Sequence, residues 1–258
     1  MTDLEVALAA AAAGAAAIVG RRPGRVEQKG PRDLVTEVDL AAEAAIVAVL
    51  RSHRPDIPIL AEEGGGAWDA GTRWVVDPLD GTMNFVHGVP WYAVSIALER
   101  DGVARVGVVW EVERGVAWMA DDRGARKRQG GAEVPIAVST TADLCSALVA
   151  TGFATDHAER AAFYAGRVER MLAEARCVRR LGSAALDLAL VAEGTFDVYL
   201  ESSLRPWDVA AGALIVARAG GRVTDDRGDV LGGARPSPLA SNGLLHEAAL
   251  RAFVSDAL

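Results

Sequence analysis

Apolar positions along this chain recur with two different periods, and the switches between them outline its elements. Residues 4–20 form an almost unbroken apolar run rich in alanine. Thr2 or Asp3 can cap its start and Gly20 can end it, which predicts a helix. Residues 29–33 are polar, contain Gly and Pro, and read as a loop. Thr36 can then cap a second helix over 37–53, with Ala41, Ala45, Val49 and Leu50 on one side. Residues 57–61 read as a buried strand, followed by Glu62, Glu63 and a flexible glycine-rich stretch. Residues 74–76 are another short apolar run, ending at Asp77.

The middle of the chain changes to β-rich runs at 93–99, 103–111 and 115–119. Asp101-Gly102 and Arg114-Gly115 supply turn chemistry between them, so an antiparallel meander is expected. Further on, helical patterns at 158–175, 183–193, 206–219 and 244–257 interleave with strands at 196–200 and 222–224. Pro206 suits a first helical position. The pattern is an α/β (α+β) mixture whose first half is antiparallel. The change falls near residues 130–135 without a free linker. One domain is therefore expected, with approximate subdomains 1–132 and 133–258 sharing an interface.

Bulk properties narrow the function. The chain has 258 residues, 51 % hydrophobic and 24 % charged, with a formal net charge of −8. That balance argues against nucleic-acid phosphates as the main target, but not against small phosphates, since bound cations can invert the local sign. Asp3 and Glu5 stand where a secretory leader carries basic residues, and the first run is short for a membrane span. Cys145 and Cys177 form no C-x-x-C pair. Two reduced, buried thiols in a cytoplasmic protein are expected, with a disulfide as the alternative.

The chemistry concentrates in Asp77-Pro-Leu-Asp-Gly-Thr-Met-Asn-Phe85. Pro78 fixes its own φ and keeps Asp77 out of helical geometry, so the chain turns sharply between two carboxylates. Gly81 removes a side chain where backbone must come close to something. The amides of Gly81 and Thr82 would open a new helical turn, an anion-binding arrangement. Two acids beside free amides suit Mg²⁺ and a phosphate, with the Leu79 carbonyl as a neutral ligand. A plain surface turn is the competing reading. Glu62 at a strand end, and Asp39 and Asp208 in first helical turns, are comparable acids. They could equally be solvated or serve helix dipoles.

These segments resemble the inositol monophosphatase family. Residues 77–85 are similar to its D-P-[IL]-D-G-T-x-N-F signature, and Trp207-Asp208-Val-Ala-Ala-Gly212 to its W-D-x-A-[AG]-G signature. Ala61-Glu62-Glu63 resembles G-E-E, Asp33 to Asp39 resembles D-x-V-T-x-x-D, and Gly182-Ser-Ala-Ala185 matches G-[ST]-A-A. The resemblance implies a layered αβαβα sandwich, usually a homodimer, and an Mg²⁺-dependent phosphatase with two or three ions. It casts Glu62, Asp77, Leu79, Asp80 and Asp208 as metal ligands. Thr82, with Glu62 and Asp39, would orient the attacking water. Asp80, Gly81, Thr82, Gly182, Ser183, Ala184 and Glu201 would meet the substrate.

Three departures stand out. Met83 replaces a smaller residue, the loop from Glu62 to Asp77 is short, and Lys29 lies one residue closer to Asp33. The last two fall on the lid and bear on the third metal and on lithium sensitivity.

Other chemistries lack their residues. There is no G-x-x-x-x-G-K-[ST], no H-E-x-x-H, no cysteine with an Arg six residues on and no D-x-D at Asp77. The four histidines, His53, His87, His157 and His246, are scattered and read as structural or exposed. The substrate reading is inositol 1-phosphate or a similar small polyol phosphate. Histidinol phosphate and fructose 1,6-bisphosphate are the alternatives, and a non-catalytic interaction protein is the other class. The complete acid set favours an enzyme.

Overall fold

A computed structural model describes residues 1–254 apart from Pro31, Ala67 and Ala70. Helix α1 (Asp3–Ile18) starts on a capping box: the Thr2 side chain accepts from the Glu5 amide while the Glu5 carboxylate accepts from the Thr2 amide. Strands β1 (Val26–Gly30) and β2 (Asp33–Thr36) form a hairpin, where a polar loop was expected. β1 is mostly exposed and β2 half-buried, so the burial alternation that betrays a strand is missing from both. Helix α2 (Glu37–His53) begins on Thr36 as predicted. Its buried positions are Val38, Asp39, Ala42, Ile46 and Leu50, a face rotated from the predicted one. The reason is α1, whose small residues admit it closely: a side chain on Gly14 would meet Ile46 at 2.7 Å.

Then follow β3 (Ile59–Ala61), β4 (Gly65–Gly66), β5 (Thr72–Asp80), α3 (Thr82–Val86), β6 (Ala93–Arg100), β7 (Val103–Glu111), β8 (Val116–Asp121), β9 (Gly124–Gln129) and β10 (Ala132–Pro135). They build one sheet in the order β10-β9-β8-β7-β6-β5-β3-β4, antiparallel except for β3 beside β5. The meander is there, and β9 and β10 extend it beyond expectation. The glycine stretch after Glu63 is ordered into β4.

A second sheet, β12-β11-β13-β15-β14, comes from the rest of the chain. It uses β11 (Leu148–Thr151), β12 (Cys177–Arg179), β13 (Val198–Leu200), β14 (Arg222–Asp225) and β15 (Pro238–Ser241). Sequence pattern missed β11, β12 and β15, each too short to show a period. The helices are α4 (Ala161–Glu174), α5 (Ala184–Ala192), α6 (Pro206–Arg218) and α7 (His246–Ala249). The expected helix at 244–257 is α7 continued by a π-helical turn, Leu250–Val254; 255–257 lie outside the described residues. Both thiols are free, and Cys145 is exposed rather than buried.

Alternation across the strands sorts the side chains into three cores. Trp74, Val76, Ile96 and Val108 pack with α1 and α2. Val75, Ala97 and Val109 face the other way onto α5 and α6, where Tyr199 and Ala240 of the second sheet also arrive. Val149, Val198, Leu200 and Leu239 face outward to Met171 of α4, Ala249 of α7 and Phe253. Period-two strands between amphipathic helices therefore give five layers, αβαβα.

Candidate active site

The site lies where the first sheet ends against the start of α6. Strand β5 pairs regularly with β6 up to Asp77 opposite Ser95, and pairing resumes only at Asp80 opposite Ala93. Pro78 has no amide to give the ladder, so the strand bulges there. The Leu79 amide donates to the Asp77 carboxylate at 2.9 Å and locks the turn. Opposite Asp77, the Ser95 hydroxyl donates to the Trp207 carbonyl at 3.0 Å. That bond ties the first turn of α6, and with it Asp208, to the bulge. The Glu62 amide donates to the Val76 carbonyl at 3.2 Å, which sets Glu62 beside Asp77. Asp77 and Asp39 are almost fully buried, whereas Glu62, Asp80 and Asp208 keep part of their surface open.

A second set of contacts aligns the groups around these acids. The Thr82 hydroxyl lies 3.0 Å from both the Asp39 carboxylate and the Leu79 carbonyl. Asp39 is itself held by the Thr36 amide at 2.9 Å. Gly81 has φ +97°, and a side chain there would press on the Trp91 carbonyl at 3.1 Å and the Gly182 carbonyl at 3.3 Å. Asn84 donates to the carbonyls of Trp91 and Leu181, both at 2.8 Å, and so binds α3 to the Gly182 loop. Asp80 accepts from the Ser183 hydroxyl and, at 2.8 Å, from the Ala185 amide at the start of α5. Ser183 is thus a buried support for Asp80, while its neighbours Gly182 and Ala184 line the cleft.

The cleft has a volume of about 590 Å³. Glu62, Asp77, Leu79, Asp80, Gly81, Thr82, Gly182, Ala184, Glu201 and Asp208 all face it, so most of the residues singled out by sequence meet in one place. The β1–β2 hairpin contributes Gln28, Arg32, Asp33 and Leu34 as a rim. His87, His157 and Arg180 also line it, which their scatter along the chain concealed. Glu201 accepts from the Tyr199 hydroxyl at 2.8 Å.

Like charges in a buried place set the electrostatics. Burial, reinforced by neighbouring acids, holds Asp77 and Asp208 well above the usual carboxylate range. Burial lifts Asp80 to about 6, against the pull of Ser183 and Ala185. Glu201 is lifted to about 7 by burial, which outweighs Tyr199 and Arg180. Glu62 is raised by burial despite Lys29, whose ammonium bonds it at 2.9 Å and also reaches Glu63.

A set of hard oxygen donors that repel one another is what Mg²⁺ suits. No group of three or more His, Cys, Asp and Glu side chains among the described residues yet stands where it could hold an ion. Glu62 in particular is engaged by Lys29, a cation standing in on that carboxylate. The donor types fit Mg²⁺.

A family model described as "Inositol monophosphatase family" matches residues 1–257. The chain belongs to the inositol monophosphatase family. An inositol-1-monophosphatase of Mycobacterium leprae is 44 % identical over 230 residues, 86 % of this chain and 79 % of the relative. A Nus factor SuhB of Escherichia coli K12 is 43 % identical over 210 residues, 80 % of this chain and 78 % of the relative. The inositol monophosphatase structure from Anabaena (Nostoc) sp. PCC 7120 superposes with TM-score 0.88 at 38 % identity, covering 97 % of this chain and 94 % of that one. The likeness covers nearly the whole chain, and membership of the family supports a phosphatase. No helix among the described residues is long and apolar enough to cross a membrane.

Proposed function

We propose that this phosphatase hydrolyses inositol 1-phosphate or a similar small polyol phosphate, with two or three Mg²⁺ ions and water as the nucleophile. The observation that supports it is the convergence of Glu62, Asp77, Asp80 and Asp208 on one open cleft beside Thr82. Glu62, Asp77, Asp80, Asp208 and the Leu79 carbonyl would hold the metal. When bound, Mg²⁺ supplies positive charge for the phosphoryl oxygens and acidifies nearby water.

The chain's own groups do the rest. The Thr82 hydroxyl spends its single hydrogen on Asp39 or on the Leu79 carbonyl. Its oxygen is then left to accept a hydrogen bond from the attacking water and aim it. The Gly81 and Thr82 amides begin α3, where no helical carbonyl precedes them, and can donate to phosphate oxygens. Gly182, Ala184 and the Glu201 carboxylate face the polyol end, where hydroxyls can donate to Glu201. Ser183 holds Asp80 in place. The working form on this reading is a cytoplasmic homodimer.

One assay tests the reading. The purified protein is given inositol 1-phosphate, histidinol phosphate, fructose 1,6-bisphosphate or p-nitrophenyl phosphate, each with Mg²⁺ or with excess EDTA. Highest kcat/KM on inositol 1-phosphate, lost in EDTA, is expected. Full turnover in EDTA would sink the metal role. Preference for histidinol phosphate or the bisphosphate would move the substrate assignment. A non-catalytic role, which the SuhB relative's name as a Nus factor brings forward, requires no turnover in any arm.

A further inference from the structure

Strand β11 runs parallel to β13 with Thr151 opposite Leu200, and the Thr151 hydroxyl donates to the Leu200 carbonyl at 2.8 Å. One residue further, Gly152 and Glu201 are therefore neighbours across the sheet. They also share a face. Ala150 and Tyr199, two residues earlier on each strand, both point into the core between the sheets. Val149, Val198 and Leu200 point the opposite way.

Gly152 is buried, and its φ is outside the left-handed region, so its backbone would accept any L-residue. What excludes a side chain is Glu201. A methyl group built on Gly152 would overlap both carboxylate oxygens and the carboxyl carbon of Glu201, and nothing else comes as near. The Tyr199 hydroxyl donates to the same carboxylate at 2.8 Å. The volume that a Cβ would fill is the seat of the Glu201 carboxylate.

We propose that Gly152 is a specificity-determining positioning residue, whose missing side chain lets the Glu201 carboxylate lie at the polyol end of the cleft. This rests on the reading of Glu201 given above. Filling the seat displaces the flexible end of Glu201 sooner than it moves two paired strands. The acids read as metal ligands, Asp77, Asp80 and Asp208, stand on other elements, β5 and α6. Gly152 thus acts on recognition of the hydroxyl-bearing part of the substrate, through Glu201.

The test uses Gly152→Ala, Glu201→Gln, Glu201→Asp and the double variant Gly152→Ala/Glu201→Asp in full-length protein. Each is assayed with Mg²⁺ on inositol 1-phosphate and p-nitrophenyl phosphate, with thermal melting as a folding control. G152A is expected to lower the ratio of kcat/KM between the two substrates on the order of tenfold, one lost charge-assisted hydrogen bond, mainly through KM for inositol 1-phosphate. E201Q should lower the same ratio. The double variant should recover part of it, because aspartate is one methylene shorter and leaves room for the methyl group.

A normal ratio in G152A alongside a lowered one in E201Q would overturn the positioning role and leave the reading of Glu201 intact. A normal ratio in E201Q would overturn both. If G152A does not fold, the double variant decides: a ratio no better than that of E201Q refutes the proposal. A crystal structure of G152A with the Glu201–Tyr199 bond unbroken would refute it as well.

Discussion

Asp80→Asn should remove activity and yet stabilise the metal-free protein. Burial lifts the Asp80 carboxyl from the usual 3.8 to about 6 in the fold. A raised carboxylate pKa costs nothing below the unfolded value, and the cost grows as pH rises from 3.8 through 6. Roughly two pH units at about 1.4 kcal/mol each set an upper bound of about 3 kcal/mol. The carboxylate is partly open to the cleft, where water screens it, so about 1–3 kcal/mol is the working range. Asparagine removes the charge, while its oxygen can still accept from Ser183 and Ala185. For a domain of this length the gain corresponds to roughly 2–10 °C in melting temperature. The assay is thermal unfolding in EDTA at pH 8 and pH 4, with kcat measured in Mg²⁺. The variant should melt higher at pH 8, match the wild type at pH 4 and show no turnover. A lower melting temperature at pH 8, or near wild-type kcat, would refute the placement of Asp80 among mutually repelling acids.

Further outcomes follow from the same contacts. Thr82→Ala should lower kcat by roughly 10²–10⁴ with little change in KM, because it removes the group that aims the water; steady-state kinetics on inositol 1-phosphate check this, and an unchanged kcat counts against it. Ser183→Ala should weaken Mg²⁺ activation, since Asp80 loses a charge-assisted bond worth about 1.5–3 kcal/mol; a magnesium titration of the rate reads it. His246 is buried between the hydroxyls of Ser241 at 2.9 Å and Thr224 at 3.0 Å, and burial lowers it to about 4. Below pH 6.5 the unfolded chain takes up a proton that the fold refuses, so stability falls by about 1.4 kcal/mol per pH unit down to about 4. Urea titrations of His246→Gln against wild type should show a shallower loss over that window; parallel curves would show that His246 does not contribute.

Short-range chemistry made much of this protein legible before its structure. Thr36 capping α2 and Pro206 opening α6 are constraints on one or two residues, and each lies where the pattern placed it; Asp77-Pro78 interrupts the pairing as expected, but as a bulge inside β5 and not as a turn that ends the strand. The identities of the acids were equally readable, because hard-oxygen chemistry is a property of residue type. Strands without a burial period were not: β1 is mostly exposed, β2 is half-buried without alternation, and β11, β12 and β15 have only three or four residues. The buried face of α2 was misread because α1, and not α2 itself, decides which side is covered.

What joined the site was decided only by packing. Asp80 shares β5 with Asp77, but Glu62 follows β3 and Asp208 opens α6, and the Glu62 amide on Val76 and the Ser95 hydroxyl on Trp207 bring those two to Asp77. Ser183 serves Asp80 rather than the cleft, and Lys29 reaches Glu62 from the hairpin. Gly152 carries no local signal, since its backbone suits any residue. Its constraint is a carboxylate 49 positions away along the chain, delivered by the register of two parallel strands. A sequence states which groups are present and how its own turns bend; which groups share a volume depends on sheet register and layer packing, which are summed over the whole chain.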